Sequence, residues 1–152
     1  MTARPAQPTD FERLAGLGLA VGRLAIGAGL WLAPGPSSRA LGFERLDGPA
    51  LALARIAATR DLVLGAWQLS ALGDRGRLAR ATLGVALADA GDAATFSLAL
   101  GDERTRVAGL RGLPAAAAAA GAGLWLAGRL RRGPQTSKSI QHRFLDIACS
   151  VS

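Results

Sequence analysis

The stretch from Leu14 to Ala33 constrains the fold most, because it runs for 20 residues with Arg23 as its single charge. A helix needs about 20 predominantly apolar residues to cross a bilayer. A surface helix of a soluble protein would carry a polar stripe, and this stretch has none. A cleaved signal peptide is the rival interpretation, but the apolar region is too long and Asp10 and Glu12 directly precede it. The sequence therefore predicts a transmembrane helix here.

Three further apolar segments follow, separated by turn residues. The runs Pro34–Ser38, Gly73–Arg77 and Gly101–Arg104 break the chain between them. Residues 34–48 are predicted to be a polar loop, and Pro114 either kinks the fourth helix or opens it. Thr9 and Glu12 have the spacing of a capping box for the first helix. We therefore predict an all-α fold, a four-helix transmembrane bundle within residues 1–132. The expected spans are about 14–33, 49–72, 78–100 and 108–130.

Composition agrees with helices and argues against a nucleic-acid partner. Tyr is absent and aromatic residues make up 5% of the chain, which disfavours β-sheets. The net charge of +7 raises nucleic-acid binding as a possibility. The arginines, however, lie between apolar stretches, and no basic stretch is interleaved with aromatics that could stack on bases. The predicted partner is the lipid bilayer, with a second copy of the chain or a membrane complex as a further partner.

A soluble helical bundle is the main alternative fold. The mean hydropathy is only +0.26. The second and third apolar segments also contain more polar residues than a transmembrane helix usually does. The first and fourth segments show no polar stripe, however, which favours the membrane. Residues 133–152 have a different, polar composition and are predicted to form a flexible tail, with a short surface helix as the alternative.

The distribution of basic residues predicts the orientation. With four spans, both termini and the middle loop share one side, which holds ten Arg and Lys residues against five on the other. Basic loops stay in the cytoplasm, so we expect a plasma-membrane protein with both termini cytoplasmic. The ten are Arg4, Arg13, Arg75, Arg77, Arg80, Arg129, Arg131, Arg132, Lys138 and Arg143, and the five are Arg39, Arg45, Arg104, Arg106 and Arg111.

Six charges lie inside the predicted spans. They are Arg23, Arg55, Arg60, Asp61, Asp89 and Asp92. A charge at the bilayer centre costs roughly 2.5–3.5 kcal/mol, so three basic and three acidic groups are expected to neutralise one another. Depth at the helical rise predicts that Arg55 pairs with Asp92 and that the other four pair among themselves. The charged side chains of the second predicted helix project in different directions around its axis. We therefore expect this helix to contact more than one neighbour and to lie at the centre of the bundle.

These charges permit two functions. The network either fixes which helices pair, as in a non-enzymatic membrane scaffold or accessory component, or forms a polar pathway in a small-solute, ion or proton transporter. Intramembrane ionisable groups are common in such pathways. The sequence favours the scaffold, with transport as the alternative. Four further side chains are predicted to line a polar site: Thr59, Gln68, Thr82 and Thr95.

The sequence predicts no catalytic residue, metal or cofactor. One His (His142) and one Cys (Cys149) cannot build a metal site or a disulfide within one chain. The Ser and Thr residues lack the context of a nucleophile. Gly18 and Gly22 form a GxxxG pair, which predicts close helix packing rather than dinucleotide binding.

The segment Ala58–Gly65, with acidic residues in the following helix, resembles the small four-helix membrane family named domain of unknown function 4267. The resemblance covers roughly residues 14–130, and Thr59 stands where a small residue is expected. It implies a multi-pass membrane protein and supplies no activity. More loosely, the chain resembles the quinone-associated four-helix proteins of the DoxX type, but no residue match carries over a redox role.

Overall fold

Within residues 6–43 and 47–132, which a computed structural model describes, the chain forms five α-helices and no strand. The predicted all-α class is therefore confirmed. The helices are α1 (Asp10–Leu32), α2 (Pro34–Ala40), α3 (Gly48–Ser70), α4 (Arg75–Ala99) and α5 (Arg106–Arg132). The predicted tail, 133–152, with its His142 and Cys149, lies outside the described residues.

Side-chain caps explain where three of the helices begin. The predicted capping box of α1 is confirmed: the Glu12 N–H donates to Thr9 Oγ1 at 3.3 Å, and the Thr9 N–H donates to Glu12 Oε2 at 2.9 Å. Asp47 and Asp74 accept main-chain N–H groups from the first turns of α3 and α4, at 2.9 and 2.7 Å. These bonds satisfy N–H groups that have no partner inside the helix.

The predicted polar loop at 34–48 is wrong in its first half, because Pro34–Ala40 forms the short helix α2. Pro34 lies at the first helical position, where its missing N–H has no helical partner to lose. The buried Ser38 hydroxyl also donates to the Pro34 carbonyl. Gly42 then turns the chain with a φ of +94°, and its backbone lies against Ala108 of α5.

Pro114 lies inside α5 and is not its first residue. The helix begins earlier, at Arg106, and the Gly109 N–H already donates to the Thr105 carbonyl at 2.9 Å. A proline within a helix removes one main-chain hydrogen bond. Of the two predicted roles for Pro114, helix start is therefore wrong.

The helices α1 and α3 pack closely and run antiparallel, with glycines at the contact. A Cβ on Gly27 would lie 2.9 Å from the Ala58 carbonyl oxygen, and one on Gly65 would lie 2.8 Å from Leu24 Cγ. Such distances leave no room for a methyl group. The two glycines therefore set the spacing of α1 and α3.

The helices α4 and α5 form a second close, antiparallel pair. A Cβ on Gly109 would lie 2.8 Å from the Phe96 carbonyl oxygen, and one on Gly123 would lie 2.8 Å from Ala86 Cβ. Lighter contacts, between α3 and α4 and between α1 and α5, join the two pairs. The prediction that α3 contacts more than one neighbour is confirmed, but every long helix does so, and these contacts do not give α3 a central position.

The predicted packing through Gly18 and Gly22 is absent from the described part of the chain. A Cβ on either residue would meet no atom within 4 Å. Their spacing places them on one face of α1, and that face points away from α3. The contact with α3 uses Gly27 instead.

Among the described residues, many large apolar side chains are exposed and five charged side chains are buried, which is unusual for a soluble protein. Large apolar side chains are exposed on all four long helices, among them Leu14, Leu53, Leu98 and Leu110. The buried apolar residues are mostly Ala, with the largest cluster around Leu78. The buried polar residues are Glu12, Arg23, Ser38, Asp61, Gln68, Arg75, Thr82 and Asp89.

Two helices, α1 and α5, are long and apolar enough to cross a membrane. They correspond to the first and fourth predicted spans. The helices α3 and α4 are also long enough, with 23 and 25 residues, but charged residues interrupt the apolar stretch in each of them.

Candidate functional site

One arginine joins three helices in the interior. Arg23 of α1 donates from Nη1 to Oδ1 of Asp61 on α3 at 2.7 Å, and from Nη2 to Oδ1 of Asp89 on α4. All three side chains are about nine-tenths buried. The contact fixes α1, α3 and α4 at one level, because a guanidinium presents its N–H donors in a rigid fork.

Arg60 of α3 extends this group toward the surface. Its Nη1 and Nη2 donate to the two oxygens of Asp92 at 2.8 and 2.6 Å, a bidentate pair. Its Nε and Nη2 also lie 3.3 and 3.1 Å from Asp61 Oδ1. The Arg60 and Asp92 side chains are 39% and 31% exposed. Asp61 is therefore the carboxylate that both arginines share.

The predicted Arg55–Asp92 pair is wrong. The Arg55 guanidinium lies over the Trp31 ring, 5.5 Å from its centroid, and makes no salt bridge within the described residues. The position of Arg55 along α3 is compatible with a pair to Asp92. The direction in which each arginine projects around the axis of α3 decides which of them makes the pair. Arg55 and Arg60 are about 140° apart around a helix, and it is Arg60 that faces Asp92 on α4.

The remaining five predicted charges meet in one cluster, which we call the Arg/Asp network. Its members are Arg23, Arg60, Asp61, Asp89 and Asp92. Because Arg55 is elsewhere, three carboxylates face two guanidiniums instead of three. With every group ionised, the network carries one unmatched negative charge.

Gln68 and Thr82 form a separate buried contact between α3 and α4. Gln68 Nε2 donates to Thr82 Oγ1 at 3.1 Å, and Gln68 Oε1 has no hydrogen-bond partner in the described part of the chain. Each residue lies seven positions from an aspartate of the network, Asp61 or Asp89, which is about 10 Å along the helix. This pair makes no hydrogen bond to the network in the described residues, and its lining role stays a prediction.

Thr59 and Thr95 have exposed side chains, and their lining role also stays a prediction. The Thr95 hydroxyl donates to the Gly91 carbonyl at 2.9 Å, one turn back in its own helix. The Thr59 hydroxyl donates in the same way to the Arg55 carbonyl at 2.9 Å, and accepts from Trp31 Nε1 at 3.0 Å. Neither threonine contacts an aspartate.

A second buried ionic site, which we call the end pair, consists of Glu12 and Arg75. Arg75 Nη1 and Nη2 donate to the two Glu12 oxygens at 2.7 and 2.9 Å. Its Nε donates to the Leu130 carbonyl at 2.8 Å, and Nη2 also reaches the Arg129 carbonyl at 3.1 Å. The end pair therefore links the start of α1, the start of α4 and the end of α5.

Sequence reasoning missed the end pair because each member already had a local role. Glu12 was accounted for as a cap, and Arg75 as part of the turn before the third segment. The available signal was topology. Four antiparallel helices bring the start of the first, the start of the third and the end of the fourth to one end of the molecule. An acid and a base at two of those points are candidates for a pair.

The two ionic sites can hold helices together, and the Arg/Asp network also has a spare negative charge that a proton or cation could neutralise. Within the described residues, no group of three His, Cys, Asp or Glu side chains could hold a metal ion. Comparison of the chain with protein families, curated proteins and solved structures found no match. The functional inference therefore rests on the charge and burial of these two sites.

Proposed function

We propose that the chain is a small, non-enzymatic integral membrane protein, a scaffold or accessory component, with four long helices that all cross the bilayer as one bundle. One observation carries this proposal: large apolar side chains are exposed on all four long helices while charged side chains are buried between them. Lipid solvates apolar surface and excludes charge. The same distribution in water would expose apolar surface on every side.

The depth of Arg23 supports spans at α3 and α4 as well. Arg23 lies midway along α1, and its partners lie on the other two helices. If α1 crosses the membrane, Asp61 and Asp89 must lie at the same depth. Asp61 of α3 and Asp89 of α4 are buried between the helices, while Val63 and Leu87 remain exposed on the outer faces.

The Arg/Asp network supports a structural role. A single guanidinium that contacts Asp61 and Asp89 fixes both the rotation and the height of three helices. Buried ionic groups can select one register among otherwise equivalent apolar packings. In a core built mostly from alanine, apolar packing alone offers few distinctive contacts. A membrane scaffold requires a defined arrangement of this kind.

Cysteine accessibility tests the number of spans. In a Cys149→Ser background, single cysteines are placed by Gly73→Cys in the turn between α3 and α4 and by Gly101→Cys in the turn between α4 and α5. Both glycines are exposed, and a Cβ there meets nothing closer than 3.5 Å. A membrane-impermeant maleimide is applied to sealed vesicles of each orientation. With four spans, the two cysteines label from opposite sides, and Gly73→Cys labels from the cytoplasmic side.

If only α1 and α5 cross, both cysteines label from the same side, and the four-span proposal is wrong. Gly35→Cys in α2 is the matched control. It lies beyond α1 in both arrangements, so it labels from the side opposite the N-terminus either way. A Cβ at Gly35 also meets no atom within 4 Å.

A proton or cation transporter is the second candidate, and the unmatched negative charge of the Arg/Asp network favours it. The exposed Arg60–Asp92 arm offers a way into the buried carboxylates. Proteoliposomes with an internal pH dye and an imposed potassium gradient test this function. A transporter acidifies or alkalinises the interior, and Asp89→Asn abolishes the flux while the protein still folds. No flux from the parent leaves the scaffold as the function.

A further inference from the structure

The surface between the start of α1 and the end of α5 combines exposed aromatic rings with arginines. Phe11 and Trp125 pack edge to face, with ring centroids 5.9 Å apart. The Arg129 guanidinium lies over both rings, 5.4 Å from the Phe11 centroid and 5.9 Å from that of Trp125. Arg132 follows at a spacing that places it on the same face of α5 as Arg129. We call Phe11, Trp125, Arg129 and Arg132 the aromatic–arginine surface.

Arg129 retains most of its capacity to bind an anion. Its Nε lies 3.6 Å from Glu12 Oε1, but Arg75 already engages both oxygens of that carboxylate. In the described residues, the Arg129 side chain makes no hydrogen bond, and it is 51% exposed. The guanidinium thus lies against the two rings and stays half-exposed.

The two ends of the molecule differ in exposed charge. Among the described residues, the end that carries the aromatic–arginine surface has six exposed arginines and one exposed aspartate, with a second aspartate half-buried. The opposite end has four arginines against three acidic residues. The first set is Arg13, Arg77, Arg80, Arg129, Arg131 and Arg132 with Asp10 and Asp74. The second set is Arg39, Arg104, Arg106 and Arg111 with Asp47, Asp102 and Glu103.

We propose that the aromatic–arginine surface binds the headgroup of an anionic phospholipid, an inference that rests on the proposed membrane function. Aromatic rings lie at the headgroup level of a bilayer, and basic clusters next to a span attract anionic lipids. Here the rings position the guanidinium at the level where lipid phosphate lies. The phosphate accepts hydrogen bonds from Arg129 and Arg132, and the acyl chains contact the exposed apolar side chains of α1 and α5.

Lipid titration of the detergent-solubilised protein, read by native mass spectrometry, tests this proposal. Phosphatidylglycerol and phosphatidylcholine are the two probes. The parent is expected to bind phosphatidylglycerol more tightly. The double variant Arg129→Gln/Arg132→Gln is expected to bind it roughly 30-fold more weakly, from the contribution of two surface arginines. The variant Arg129→Lys/Arg132→Lys keeps the charge and most of the affinity.

The matched control is Arg104→Gln/Arg106→Gln, which removes two arginines from the opposite end and is expected to keep the parent affinity. Equal binding of both lipids by the parent overturns the proposal and leaves the membrane function intact. Equal losses in the two Gln double variants also overturn it, because net charge would then explain binding. If alkaline carbonate also releases the parent from membranes, the proposed membrane function fails as well.

Discussion

The Arg/Asp network and the end pair are both buried ionic sites, yet they are built differently. In the end pair, one carboxylate meets one guanidinium in a bidentate contact, and carbonyls of α5 accept two further bonds from Arg75. In the network, three carboxylates share two guanidiniums, and one arm reaches the surface. A closed, balanced pair suits a fixed helix junction. An unbalanced and partly open network leaves one negative charge unmatched and one arm accessible.

The largest effect is expected for Glu12→Gln, which breaks the end pair. The change leaves Arg75 buried without a counter-charge, so we expect a loss of about 3–5 kcal/mol in the free energy of unfolding. Chemical unfolding in detergent measures it. Asp10→Asn is the control, because it removes the same charge from an exposed position in the same turn. Equal stability of the two variants would mean that Arg75 is solvated and that the end pair does not stabilise the fold.

The second prediction separates the carboxylates of the network. Asp61→Asn removes the negative charge that both arginines contact, and we expect a loss of about 3 kcal/mol. Asp89→Asn removes the excess charge but keeps an oxygen facing Arg23, and we expect a loss of about 1 kcal/mol. The same unfolding measurement compares them. Equal losses of stability would show that the network needs all three negative charges. That result would contradict the description of one carboxylate as an excess charge.

The third prediction concerns the helix spacing on which the network depends. Gly65→Ala places a methyl group against Leu24, next to Arg23, so we expect a loss of about 1–3 kcal/mol from overpacking. Gly22→Ala, on the open face of α1, is the control and is expected to change stability by less than about 0.5 kcal/mol. The loss should add to that of Glu12→Gln, because about 18 Å of α1 separates the two sites. A double variant whose loss of stability differs strongly from the sum of the two single losses would show that the network and the end pair are energetically coupled.

The smallest effect is expected for Arg55→Gln. Arg55 contacts the Trp31 ring near the surface, a contact worth about 0.5–1 kcal/mol. Arg23→Gln is the comparison, because Arg23 is buried between two carboxylates. Unfolding in detergent and Trp fluorescence both report the change. If Arg55→Gln lowered the free energy of unfolding as much as Arg23→Gln does, Arg55 would have to belong to the network after all.

Helix positions could be predicted well from sequence, because they follow from local signals. The breaks between the apolar segments and the Thr9–Glu12 capping box are both visible within a few residues of a helix boundary. The helix α2 was missed because Pro34 and Gly35 resemble a turn, whereas a proline at the first helical position also permits a helix.

The partners of charged side chains were harder to predict. Depth follows from counting residues, but the pairing of Arg60 rather than Arg55 with Asp92 depends on the rotation of α3. That rotation is set by contacts such as the one between Gly65 and Leu24, which join distant parts of the chain. The end pair depends on three helix ends at once, so no single segment could indicate it.

The order in which the network's members are synthesised has a consequence for assembly. Arg23 precedes Asp61 by 38 residues and Asp89 by 66. In a chain inserted from its N-terminus, α1 would enter lipid alone at a cost of roughly 2.5–3.5 kcal/mol for its arginine. The segment α3 brings Arg60 and Asp61 together as neighbours, so it enters with its own partner and then supplies one for Arg23. If α1 and α3 both cross the bilayer as proposed, we expect the insertion machinery to retain α1 until α3 has emerged from the ribosome, so that the two helices enter lipid as a hairpin.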